Sequence, residues 1–87
     1  MSFALLFSSK AFRQIRKLSR TIRAKIKKAC EEIAANPWHK STIKVEGYSN
    51  IRRKRIGNFR ILYIVDKKAK EIVIIKIEKR SGKTYRL

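Results

Sequence analysis

Apolar residues recur along this chain in three rhythms. Near the start, Phe3–Phe7 (FALLF) is a short continuous apolar run, which predicts a buried strand. From Phe12 onward, Ile15, Ile22, Ile26, Cys30 and Ile33 recur at helical spacing, with Lys10, Arg13, Lys17, Arg20, Lys27 and Lys28 on the other side. Ser8 or Ser9 is placed to cap a helix, and Asn36-Pro37 ends the pattern. One straight helix over residues 10–35 would run about 39 Å at 1.5 Å per residue. A globule of 87 residues has a radius of gyration of only about 12 Å. A break is therefore expected near Leu18-Ser19-Arg20, with Ser19 capping a second helix. The product is a helical hairpin with one apolar face.

After Trp38 the period changes to two. Ile43 and Val45 alternate with Lys44 and Glu46, and Gly47 and Asn50 mark irregular chain. Three strand-like runs follow, Ile51–Ile56, Phe59–Val65 and Ile72–Lys79. Gly57-Asn58 joins the first two and suits a type II′ hairpin turn. Residues 66–70 join the next two, and Ser81-Gly82 turns the chain before Thr84-Tyr85-Arg86. The expected fold is α+β, with an N-terminal strand, a two-helix hairpin and then a three- to four-stranded antiparallel sheet. No linker or repeat divides residues 1–87, so one domain is expected.

The hairpin register sorts the charges. A two-residue loop pairs Ile56 with Phe59, Arg55 with Arg60 and Arg53 with Leu62. Alternation then puts Arg53, Arg55 and Arg60 on one face, and Ile56, Phe59, Ile61, Tyr63 and Val65 on the other. Like charges directly opposite each other destabilise a sheet, so converging guanidinium groups call for an anion. If the next loop keeps an even register, Val73, Ile75 and Ile77 join the apolar face, while Lys76, Glu78 and Arg80 join the arginines. Glu78 would then be a local counter-charge, and Tyr85 would lean over the cluster from beyond the last turn.

Composition sharpens this picture. Lysine and arginine number 24 against six carboxylates, a net charge of +18. Residues 1–50 hold 11 basic and 3 acidic groups, and residues 51–87 hold 13 and 3. The basicity thus belongs to the whole chain rather than to an appended arm. Phosphate polymers relieve such self-repulsion through counterion release, and the planar fork of arginine suits phosphate. Cys30 is the only cysteine and His39 the only histidine, which leaves no disulfide and no metal set to expect. Cys30 reads as a small buried helix residue. FALLF is too short for a signal sequence or a membrane span, so a cytoplasmic location is expected. Trp38 and His39 follow a helix-ending proline and read as a packed cap of the core.

The segment Arg53–Val65 (RKRIGNFRILYIV) resembles the hairpin of RelE-family toxins, in the RelE/ParE superfamily of toxin–antitoxin systems. The tail Lys79–Arg86 (KRSGKTYR) is similar to the closing motif of that family. The strand, helical hairpin and antiparallel sheet match as well. The resemblance implies an endoribonuclease that cleaves mRNA in the ribosomal A site without a metal or cofactor. It implies Arg53, Arg55, Arg60, Arg80 and Tyr85 as site residues. Arg52, Lys54, Lys79, Lys83 and Arg86 are expected as further RNA contacts beside them. The resemblance also implies an acidic RelB-like antitoxin as partner, beside mRNA and ribosomal RNA, and no membrane.

In such a reaction the 2′-OH of the RNA attacks the scissile phosphate. Arg53, Arg55 and Arg60 would stabilise the added charge. Tyr85 would accept the proton or stack on a base, and Arg80 would stabilise the leaving oxygen. Two other classes stay open: a ParE-like gyrase inhibitor on the same scaffold, and a non-catalytic basic RNA- or ribosome-binding protein.

Overall fold

The computed structural model describes residues 2–48 and 50–79. Strand β1 (Ala4–Phe7) leads into helix α1 (Ser9–Arg16) and helix α2 (Arg20–Ala35). Strands β2 (Thr42–Lys44), β3 (Ile51–Ile56), β4 (Phe59–Asp66) and β5 (Glu71–Lys79) follow. They form one five-stranded sheet in the order β1-β5-β4-β3-β2, in which β1 runs parallel to β5 and the other pairs are antiparallel. The sheet is therefore mixed, with one strand more than the alternation alone suggests. A parallel partner for β1 needs a long crossover, and the helical hairpin supplies its covering layer.

Each helix begins where its serine allows. Ser8 Oγ accepts from the Ala11 amide and Ser19 Oγ from that of Ile22, each satisfying one orphan donor of a first turn. The break expected at Leu18-Ser19-Arg20 is present, and the radius of gyration is 13.0 Å. Both helices lie on one face of the sheet. Ala11, Ile26, Ala29, Cys30 and Ile33 meet Ile61, Tyr63, Ile72, Ile74 and Ile77 in one buried cluster, edged by Phe3, Leu5, Ile56, Phe59 and Val65.

The β3–β4 register is the expected one, with Ile56 opposite Phe59, Arg55 opposite Arg60 and Arg53 opposite Leu62. Gly57 has φ +56°, while Asn58 keeps the ordinary negative φ. That combination fits a II′ turn rather than I′, which needs positive φ at both central residues.

The next pairing departs from expectation. Arg60 faces Glu78 and Leu62 faces Lys76, but Tyr63 faces Ile74, so Ile75 is an extra residue in β5. This bulge switches the inward set from odd to even numbers. Ile77 is buried as expected, but Ile72 and Ile74 replace Val73 and Ile75 in the core. Helix α1 holds the bulge from across the sheet. Ser8 Oγ donates to the Ile75 carbonyl, and the Ile77 amide donates to Gln14 Oε1 at 2.7 Å. Backbone groups that a bulge takes out of the ladder thus gain partners from the helix and its cap.

Candidate functional site

Alternation along β3 and β4 decides which cations reach the open face of the sheet. Arg53, Arg55 and Arg60 lie there together, since Arg55 and Arg60 are directly paired and Arg53 is two positions along. Arg55 is exposed, whereas Arg53 and Arg60 are partly buried. Arg60 Nε is shielded from solvent and has no hydrogen-bond partner among the described residues. A shielded donor on a charged group is costly to leave unpaired.

Glu78 stands opposite Arg60 in the register, as expected for a counter-charge. Its carboxylate, however, pairs with Lys76 Nζ at 3.0 Å. No ion pair joins a carboxylate to Arg53, Arg55 or Arg60 among the described residues. The three guanidinium groups therefore present unneutralised charge on one side of the hairpin. This geometry suits a phosphate, which accepts paired N–H bonds from an arginine fork.

The same alternation turns Arg52 and Lys54 away. Both lie on the helix-covered face, so the expectation that they join the arginines as RNA contacts does not match their placement. Lys54 is only 8% exposed; its Nζ donates to Ser41 Oγ at 2.8 Å and pairs with Glu32 at 3.5 Å. Ser41 Oγ also lies 2.8 Å from His39 Nδ1, so the ammonium sits in a polar cluster. Burying a cation demands such partners. Arg52 donates from its guanidinium to Thr42 Oγ1 at 2.9 Å and to the Thr42 carbonyl at 3.4 Å. Lys79 is exposed at the end of β5, level with Phe59. Arg80, Lys83, Tyr85 and Arg86 lie outside the described residues.

Burial decides two further expectations. Cys30 is buried, and burial, with the Glu31 charge beside it, raises its thiol from 9.0 to about 11. Trp38 is not a packed cap, because 46% of it is exposed. The sequence signal that would have placed it is Pro37, which is fully buried and so anchors the chain one residue earlier. No group of three or more His, Cys, Asp or Glu is placed to hold a metal among the described residues. No helix among them is long and apolar enough to cross a membrane.

The isolated RelE toxin of Escherichia coli superposes with a TM-score of 0.83 at 23% identity, over 92% of this chain and 86% of that one. The archaeal RelE–RelB complex from Pyrococcus horikoshii gives 0.80 at 22% identity, over 93% and 98%. The RelB–RelE complex from Methanococcus jannaschii gives 0.70 at 25%, over 94% and 99%. At such identities the likeness is chiefly one of fold. No curated protein matches the chain. A family model described as the ParE toxin of the type II toxin–antitoxin system parDE matches residues 5–83. That span takes in both helices and every described strand but for the first residue of β1, and on this ground the chain belongs to the ParE toxin family of type II toxin–antitoxin systems, within the RelE/ParE superfamily.

Proposed function

We propose that this toxin is a RelE-like endoribonuclease, cleaving mRNA in the ribosomal A site without a metal. The observation that carries the reading is the convergence of Arg53, Arg55 and Arg60 on the open sheet face, with no carboxylate of the described residues paired to them. The 2′-OH next to the scissile phosphate is the nucleophile. Its attack adds negative charge to the phosphate, and fixed cations in a preorganised site stabilise that charge. Arg60, whose Nε has no hydrogen-bond partner among the described residues, is assigned a direct phosphate contact, with Arg53 and Arg55 orienting the group for in-line attack. Arg80 and Tyr85 are assigned to proton transfer and to holding the leaving nucleotide. Arginine stays protonated at physiological pH, so none of the three sheet arginines serves as base. The products are a 2′,3′-cyclic phosphate and a 5′-OH. Lys79, Lys83 and Arg86 extend the RNA contact towards the C-terminal residues.

The partner that restrains the toxin is proposed to be an acidic RelB-like antitoxin laid over the basic surface. The matching structures from P. horikoshii and M. jannaschii are complexes of RelE with RelB, and a net charge of +18 favours an acidic partner. A second reading is a ParE-like gyrase inhibitor, favoured by the ParE description of the matching family.

The test adds the purified chain to a translation reaction and maps mRNA 5′ ends by primer extension, with a gyrase supercoiling assay in parallel. New ends in the A site are expected, reduced about 100- to 1,000-fold by Arg60→Ala and weakened by Arg80→Ala and Tyr85→Phe. An intact message together with blocked supercoiling would replace this reading by the gyrase one.

A further inference from the structure

A second feature lies on the opposite face of the sheet from the three arginines. Trp38 borders a cleft with Lys44, Asn50, Arg52, Val65 and Lys67. The cleft measures about 320 Å³. Three of its six lining residues are cationic and none is acidic. Register places Lys44 opposite Arg52, and Arg52 opposite Tyr63, so the cleft opens on the helix side, at the end of the sheet near β2.

Trp38 is held there, not merely left over. The buried Tyr63 hydroxyl donates to the Pro37 carbonyl at 2.6 Å. Thr42 Oγ1 donates to the His39 carbonyl at 2.7 Å. The Trp38 amide donates to Asn36 Oδ1 at 3.2 Å. Phe3 meets the indole in a T-shaped contact, with ring centroids 5.6 Å apart. The backbone on both sides is thus pinned to the core, while 46% of the residue faces solvent. A large aromatic ring fixed in place and exposed is a ready stacking surface, since every nucleobase has a π-face. Lys67 Nζ already sits 5.8 Å from the ring centroid, a cation–π distance. An anionic group entering beside the ring would find that ammonium and Lys44 at hand. Arg52 is oriented by its bonds to Thr42, which fixes its guanidinium on the rim.

We propose that this cleft binds one unpaired nucleotide of a single-stranded polynucleotide, with the base stacked on Trp38 and the phosphate held by Lys44, Arg52 and Lys67. The combination of cationic residues and an indole lining one cleft is what distinguishes a nucleotide from a simple polyanion. The assignment goes beyond the nuclease reading and stands independently of it. It needs no cleavage, and it uses the face that Arg53, Arg55 and Arg60 do not share.

The chain has one tryptophan, so its emission reports this cleft alone. The unaltered protein is titrated with a ten-nucleotide oligothymidylate, which lacks a 2′-OH and is not cleaved, and with oligouridylate of the same length. An abasic oligomer, inorganic polyphosphate and a polyglutamate peptide serve as the other probes. Saturable quenching of Trp38 by the two base-bearing oligomers, and not by the other three, is expected. By anisotropy of a labelled oligothymidylate, Trp38→Ala should weaken binding about 5- to 100-fold, with Trp38→Phe recovering most of it. The joint change Lys44→Gln and Lys67→Gln should lower the salt slope by about 1 to 2. An oligomer that binds by anisotropy yet leaves the emission unchanged overturns the proposal. So does equal quenching by the abasic oligomer, the polyphosphate or the peptide. Arg53→Ala with Arg60→Ala should abolish cleavage while leaving the quenching in place, so the two readings fail separately.

Discussion

Tyr63 is wholly buried, yet its hydroxyl is paired with the Pro37 carbonyl. Tyr63→Phe keeps the ring and leaves that carbonyl with only a long 3.4 Å bond from Thr42 Oγ1. A loss of about 1–3 kcal/mol is expected, read as a lower urea midpoint at unchanged slope. Cys30 sets a pH limit. Its thiol keeps its proton in the fold up to about 11, against an ordinary 9.0. Between those values the unfolded chain has released a proton that the folded chain still holds, so stability falls as pH rises. The fall should amount to about 2–3 kcal/mol by pH 11, and Cys30→Ala should flatten that part of the pH profile in denaturant melts. At this scale the sequence was legible where alternation is strict. Arg53, Arg55 and Arg60 share their face as the hairpin register requires. The inward turn of Arg52 and Lys54 follows from the same rule, but Lys54 is tolerated there only because Glu32 and Ser41, on other elements, receive it. A strand read by itself does not contain those partners. Lys54→Met should therefore change stability by no more than about 1 kcal/mol and leave the mRNA cleavage proposed above unaffected, unlike changes to the arginines.

Among the elements, β5 is the one whose side-chain pattern misleads. Its run of Ile and Val offers apolar residues at both parities, so hydrophobicity cannot choose between odd and even faces. What chooses is α1, through Ser8 and Gln14, and these lie 67 and 63 residues earlier in the chain. The bulge was illegible for that reason. The helix break at Ser19 was legible, because a cap and a length limit both belong to the local sequence. Gln14→Ala removes the acceptor for the Ile77 amide. Faster hydrogen exchange at that amide is expected, with a stability loss of about 1–2 kcal/mol, while the Arg55–Arg60 end of the hairpin keeps its protection.

The molecule as a whole is a polycation with two differently built faces. Its open sheet face carries converging arginines, and its helix-side rim carries an exposed indole among lysines. Affinity for single-stranded polynucleotide should fall with salt, and neutralising Arg53, Arg55 and Arg60 together should lower the log–log slope by about 2. The overall basicity was legible from composition, and the arginine face from register. The Trp38 cleft was not, because it joins the end of α2, β2, β3 and the β4–β5 turn, which are brought together only by folding.

Strand order carries one more consequence. β1 is translated before β5, yet β5 is its partner in the sheet. Until β5 has emerged, an early nascent chain has no sheet neighbour for its first strand and no Ile72 or Ile74 beneath its helices. Closing so long a loop is also a slow step in folding. A chain emerging from the ribosome therefore completes its core only after residues 71–79 have emerged. If the chain acts on translating ribosomes, this delay keeps it inert towards the one that is making it.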